Sequence, residues 1–176
     1  MKLRILSDTA KTAIEAEFSK YPDKRSVLLP ALWIAQKELG YLPEPAMMDV
    51  AQLLDLTPVQ VYDVASFYYM YNLKPVGKFH IQACKTLSCM LVGSHAIVEH
   101  LTKRLGIRPG EITSDAFFSL KQVECLAACG SGPMMQINED YYEHLTGEKV
   151  DQILEDLRNE GKSSLATQRF RLPMVV

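Results

Sequence analysis

Apolar residues along the chain keep a helical period at first and a strand period from Lys78 onward, so the chain divides near Leu73–Gly77. Thr9 to Lys20 reads as a helix, with Ile14 and Phe18 at i, i+4 and Pro22 beyond its end. Ser26 to Leu39 is more apolar. Leu28, Leu32, Ala35 and Leu39 share one stripe, Trp33 lies beside it, and Gly40 marks the stop. Pro45 falls in the first turn of a third helix that runs to about Leu54. "TPVQ" then predicts a capping box, with Thr57 as N-cap, Pro58 at the first helical position and Gln60 three residues after the cap. The fourth helix turns Val61, Val64 and Ala65 inward. Four short helices predict a small bundle.

In "KFHIQAC", Phe79, Ile81 and Ala83 alternate with Lys78, His80 and Gln82, which predicts a half-buried strand leading to Cys84. Met90 to Leu105 reads as one helix ended by Gly106, and "GIRPGE" as a turn. "AFFSLKQVEC" is a second strand segment delivering Cys125, and "PMMQIN" with "DYYEHL" reads as a hairpin. A last helix runs from about Gly147 to Arg158, capped by Thr146. The order β-α-β-β-α suggests a small mixed sheet covered by helices. "SSLATQRFRLPMVV" has no clear period and reads as a tail.

Composition narrows the function classes. The 176 residues are 48% hydrophobic and 23% charged, ordinary for a globular protein, and the net charge of −2 lacks the basic excess of a nucleic-acid binder. "MMDVAQLLDLTPVQVYDVASFY" has the outline of a helix-turn-helix and raises the alternative of a redox-sensing regulator. Thr57 to Phe67, however, holds one glutamine, no basic residue and Asp63, a poor set for base edges and phosphates. No apolar run approaches the roughly 20 residues that span a bilayer. No signal or transit pattern is seen at "MKLRILSDTA", so the mature chain is expected to begin near Met1 and stay in a reducing compartment. There, cysteines point to metal binding or catalysis rather than disulfides.

The four cysteines form C-x4-C at Cys84 and Cys89 and C-x3-C at Cys125 and Cys129, each pair at a predicted strand end and all in turns. A thiol–disulfide catalyst usually shows C-x2-C before a helix, which neither pair has. A structural zinc site uses comparable spacings. A [2Fe–2S] cluster needs four thiolates, two per iron, and is costly to bury unless N–H groups point at its sulfurs. "CGSG" suits that need: Gly130 and its neighbour Gly132 allow close backbone approach and Ser131 supplies a hydroxyl, as Thr86 and Ser88 do between the first two cysteines. Plain turn chemistry is the alternative reading of these residues, and zinc remains the rival to iron.

"HIQACKTLSCMLVG" and "VECLAACGSGPMMQIN" resemble the thioredoxin-like [2Fe–2S] subunit of the NADH-oxidising module of respiratory complex I. Related subunits serve NAD-linked formate dehydrogenases and hydrogenases. The similarity extends through "VYDVASFYYMYNLKPVGKFHI" and "ALWIAQKELGYLP", covering roughly Ser26 to Leu157. The resemblance implies an α+β or α/β chain: a helical bundle over residues 1–75, a thioredoxin-like [2Fe–2S] ferredoxin domain over 76–160 and a C-terminal tail over 161–176. It implies Cys84, Cys89, Cys125 and Cys129 as cluster ligands, and a cis bond before Pro133. It implies an electron-transfer subunit without a complete activity of its own, whose cluster exchanges single electrons with FMN reduced by NADH on a partner flavoprotein. Further complex I subunits would surround it. It would lie on the cytoplasmic side of the inner (plasma) membrane without inserting. The chain has no G-x-G-x-x-G of its own, consistent with FMN and NAD residing on the partner. It departs from the family at Ala127, where glycine is frequent, and at "GSGP", where another small pair commonly precedes the proline.

Three further features have two readings each. Phe67, Tyr68, Tyr69 and Tyr71 line either a partner surface or a packed junction between domains. Met134 and Met135 either shield a cluster from water or fill core. Arg169, Phe170 and Arg171 either pack on the flavoprotein or belong to a disordered terminus.

Overall fold

The computed structural model describes residues 5–169, the last two by backbone alone. The chain falls into two compact units, divided between Pro75 and Val76.

The first unit is helical. α1 (Asp8–Glu17) is capped by the Ser7 hydroxyl, which accepts from the Ala10 N–H, and it tightens into a 3-10 turn over Phe18–Lys20. A second 3-10 turn, Lys24–Val27, leads into α2 (Leu28–Leu39), which ends at Gly40. α3 (Glu44–Leu54) and α4 (Pro58–Phe67) follow. The capping box of α4 is formed: Gln60 Oε1 accepts from the Thr57 N–H at 2.9 Å, and Thr57 Oγ1 from the Gln60 N–H at 3.3 Å. Ile14, Leu32, Ala35, Leu42, Val50 and Val61 are fully buried in one core, with Trp33 and Leu39 partly buried against it. The chain leaving α4 is tied back by Gln36, whose side chain donates to Met70 O at 2.9 Å and accepts from Asn72 N at 2.6 Å. Tyr71 is buried and donates to Leu29 O at 2.8 Å.

The second unit is a five-stranded sheet with helices. β1 (Phe79–Cys84) is followed by α5 (Leu87–Leu91), α6 (Ser94–Leu105), β2 (Phe118–Val123), β3 (Met135–Ile137), β4 (Asp140–Tyr142), α7 (Gly147–Glu160) and β5 (Gln168–Arg169). The strands lie in the order β2-β1-β3-β4-β5, with β1 and β2 parallel and the other neighbours antiparallel. Phe79, Ile81 and Ala83 pack with Ile97, Val98 and Leu101 of α6 and Val150, Ile153 and Leu154 of α7 in one core. The alternation read in "KFHIQAC" is thus the face presented to the helices. Thr146 caps α7 by accepting from the Lys149 N–H. Among the described residues no helix is long and apolar enough to cross a membrane.

Four expectations are corrected here. Met90–Leu105 is not one helix: Gly93 adopts φ +97°, a left-handed conformation that closes α5 and starts α6. The element order is richer than β-α-β-β-α: the hairpin forms as read, as β3 and β4, but a fifth strand follows α7. The fifth strand comes from the stretch read as a tail. Ser163 is buried, Leu165 and Ala166 pack on the core, and Gln168 and Arg169 pair with Tyr141 and Asp140. Phe170 and Arg171 lie outside the described residues, as does the Arg169 side chain. His80 does not face water: it is 7% exposed, with Nδ1 bonded to the Ser119 hydroxyl at 2.7 Å.

Candidate metal centre

Parallel pairing brings the cysteines together. Cys84 stands beside Val123, the register continues through Lys85 N to Val123 O at 3.0 Å, and Cys125 therefore leaves the sheet at the same end as Cys84. An ion pair between Lys85 and Glu124 at 3.0 Å holds the two strand ends in line. From there Thr86 opens α5, which turns Cys89 back inward, while a 3-10 turn over Cys129–Ser131 carries Cys129 at the surface. The expectation that all four lie in turns is corrected: Cys84 ends a strand and Cys89 sits in a helical turn.

The thiols gather as two pairs. Cys84 and Cys89 are hydrogen-bonded and both 2% exposed, whereas Cys125 and Cys129 are exposed with sulfurs 3.4 Å apart. Two hydroxyls join the pairs. Thr86 Oγ1 lies 3.2 Å from Cys84 Sγ and also bonds Cys125, and Ser88 bonds Cys129. Among the described residues no three His, Cys, Asp or Glu side chains gather about a single point.

Backbone N–H groups surround the sulfurs. Thr86 and Leu126 donate to Cys84, Met134 to Cys89, and Ala127 to Cys125 at 3.3 Å. Burial pushes Cys84 up, but the Thr86 hydroxyl and these amides outweigh it, so its thiol titrates below the ordinary range. Cys89 is pushed up to about 11 by burial and then by the neighbouring Cys84. In the outer pair the Ala127 amide lowers Cys125, and Cys129 rises because it gives its proton toward Cys125. One thiol of each pair is thereby lowered and its neighbour raised.

The small residues of "CGSG" differ in what surrounds them. A Cβ on Gly130 would meet nothing within 4 Å, whereas one on Gly132 would lie 3.0 Å from Val92 Cγ2 and 3.3 Å from Cys89 Sγ. Gly132 thus lets the backbone pass close to Cys89, and the Gly132–Pro133 bond is cis. The Ser131 hydroxyl bonds Ala128 O at 3.1 Å and the Glu143 carboxylate. Met134 packs with Cys84 and Cys89, screening them from water, while Met135 belongs to the sheet core. Phe67, Tyr68 and Tyr69 are exposed. Three contributors lack any sequence signal of their own: the Ala127 amide, the Tyr141 hydroxyl bonded to Leu126 O at 3.0 Å, and Glu143.

Two thiol pairs, amides aimed at sulfur and a glycine wall that a methyl group would fill suit a two-iron cluster, which takes two thiolates per iron. A mixed sheet packed against helices, with four thiols gathered at one end, frames the site. Comparison supplies the family. Residues 14–158 match the thioredoxin-like [2Fe-2S] ferredoxin family, and the chain belongs to it. Its cofactor is accordingly a [2Fe–2S] cluster.

Among its relatives is an E-type NADH-quinone oxidoreductase subunit of Rhizobium meliloti, 48% identical over 85% of this chain and 89% of that protein. The E-type NADH-quinone oxidoreductase subunit of Rickettsia bellii is 50% identical over 80% of this chain and 86% of that one. NADH-quinone oxidoreductase subunit 2 of Thermus thermophilus is 40% identical over 86% and 85%. Among solved structures, the NAD+-reducing [NiFe]-hydrogenase in its H2-reduced state superposes with a TM-score of 0.67 at 24% identity. The match covers 76% of this chain and 22% of that one, a likeness of fold.

Proposed function

We propose that the chain is the electron-transfer subunit of an NADH:quinone oxidoreductase, with Cys84, Cys89, Cys125 and Cys129 holding its [2Fe–2S] cluster. The observation that carries this is the convergence of the four thiols, as two pairs, at one end of the β1–β2 sheet. The relatives just described are subunits of NADH-quinone oxidoreductases and match this chain over most of both lengths, which supports the placement in such a complex.

The cluster, when bound, supplies one-electron chemistry, exchanging electrons with an FMN that NADH reduces on a partner flavoprotein. The chain's own residues prepare that exchange. Thr86, Leu126, Ala127 and Met134 turn N–H groups toward sulfur, lowering the cost of burying negative charge. Met134 excludes water from the inner pair, while the exposed Cys125 and Cys129 form the side a partner can approach. Leu87, Leu91 and Val92 extend that side with exposed apolar surface. The complex would place the chain on the cytoplasmic side of the inner membrane.

Anaerobic purification of the full chain, with iron, sulfide and zinc analysis and an EPR spectrum after dithionite reduction, tests the assignment. About two irons and two sulfides per chain and a single reduced-cluster signal are expected. Serine at any one of the four cysteine positions should lower the iron content or alter that signal. Stoichiometric zinc without sulfide would leave a structural zinc domain instead.

A further inference from the structure

The stretch Tyr141–Leu145 contains no cysteine, yet it fastens the second cysteine loop at both ends. Tyr141 donates its hydroxyl to Leu126 O at 3.0 Å, just after Cys125. His144 N donates to Ser131 O at 2.8 Å and Leu145 N to Pro133 O at 3.0 Å, just after Cys129. Between these bonds the Glu143 carboxylate accepts from the Ser131 hydroxyl. Glu143 is 8% exposed, on a segment where His144 holds φ 49° and Lys149 Nζ is engaged by the Glu143 carbonyl at 2.6 Å. The Ser131 hydroxyl, and after it Thr167, hold the Glu143 carboxyl below its usual range, so the side chain is an anion at neutral pH.

We propose that Glu143 is a positioning residue for the cluster. It anchors the Cys129–Pro133 loop through Ser131, and it sets a fixed negative charge one hydroxyl away from that loop. The proposal rests on the ligand assignment above. Reduction adds an electron to a centre already negative, so a nearby carboxylate in a partly desolvated setting disfavours it. A rigid loop also fixes how the Ala127 and Met134 amides meet sulfur, and those bonds tune the potential. Glu143 thus acts through the loop without touching a cysteine.

The test is a dithionite redox titration of the full chain with its cluster bound, using mediator dyes and EPR detection. Glu143→Gln keeps the shape and an acceptor oxygen but removes the charge. It is expected to keep full iron and sulfide and to shift the midpoint potential upward. Glu143→Asp, which restores the charge, should return the potential toward wild type. Equal potentials for wild type and Glu143→Gln at full cluster content would overturn the role of Glu143 alone. If Glu143→Gln loses its iron, Ser131→Ala decides, since it cuts the link and leaves the carboxylate. A changed visible circular dichroism spectrum and a displaced potential are expected, and no change in either overturns the proposal. A wild-type chain lacking iron and sulfide would instead sink the ligand assignment, and this inference with it.

Discussion

Ala127 aims its N–H at Cys125 Sγ, 3.3 Å away, from a left-handed backbone with φ 63°. That conformation costs an L-residue about 1–2 kcal/mol, and glycine escapes it at the expense of a more flexible unfolded chain. Ala127→Gly is therefore expected to stabilise the protein by about 0.5–1 kcal/mol, read as a higher urea midpoint with unchanged slope. Ala127→Val, β-branched at the same φ, should lower the midpoint. A glycine variant no more stable than wild type would mean the loop relaxes the strain by another route.

His80 makes the second unit acid-sensitive. Burial first, then the charge of Lys121, lowers its pKa from 6.5 to about 4. Ser119 Oγ accepts from the Gly77 N–H at 2.9 Å and shares a hydrogen bond with His80 Nδ1 at 2.7 Å, which holds the neutral ring in place. A histidine depressed by folding binds its proton more readily unfolded, so its contribution is complete above pH 6.5 and is lost as the pH falls toward about 4. The span corresponds to about 3 kcal/mol. Denaturant titrations between about pH 7 and pH 4.5 should show stability falling faster in wild type than in His80→Phe. Parallel curves would remove His80 as the cause.

Local rules make much of this chain legible. The Thr57 capping box, the Gly40 stop and the Thr146 cap depend on residues within one helical turn, and they form as read. The cysteine spacing is legible too, but convergence needs β1 and β2 to be parallel and in register, a pairing across the whole α5–α6 segment that no local pattern encodes. The break at Gly93 is hidden because Met90 and Leu91 continue an apolar helical run; in the structure both are exposed. β5 is two residues long and depends on β4 alone for its pairing, so it carries no period. The role of the Ser131 hydroxyl escapes the sequence for a similar reason. Its partner Glu143 lies twelve residues on and is brought over by the β4 exit, beyond the reach of turn chemistry.

Gln36 joins α2 to the segment after α4 by two hydrogen bonds, to Met70 O and from Asn72 N, and is 6% exposed. Gln36→Leu keeps the volume but strands a carbonyl and an N–H, each costing about 1–3 kcal/mol where burial denies them water. A loss of about 2–4 kcal/mol in the unfolding free energy is expected, with the cluster's absorption per folded chain unchanged. A loss under about 1 kcal/mol would show that water takes over both groups.

The two glycines after Cys129 should respond oppositely to the same methyl group. At Gly130 an added Cβ meets nothing within 4 Å, and the residue lies in a 3-10 turn that alanine accepts. Gly130→Ala is therefore expected to keep the cluster with stability within about 0.5 kcal/mol of wild type. At Gly132 the new Cβ would stand 3.0 Å from Val92 Cγ2, 3.3 Å from Cys89 Sγ and 3.5 Å from Cys89 Cα. Val92 is exposed and can turn away, but Cys89 is buried and fixed in α5 between Cys84 and Met134. The strain therefore falls on a cluster ligand. Overpacking of this kind costs about 1–3 kcal/mol, and each 1.4 kcal/mol is about tenfold in an equilibrium. Iron transfer to a chelator such as bathophenanthroline should accordingly run several-fold to a hundredfold further at equilibrium in Gly132→Ala than in wild type or Gly130→Ala. If both variants released iron alike, the wall at Gly132 would not be part of the cluster's seat.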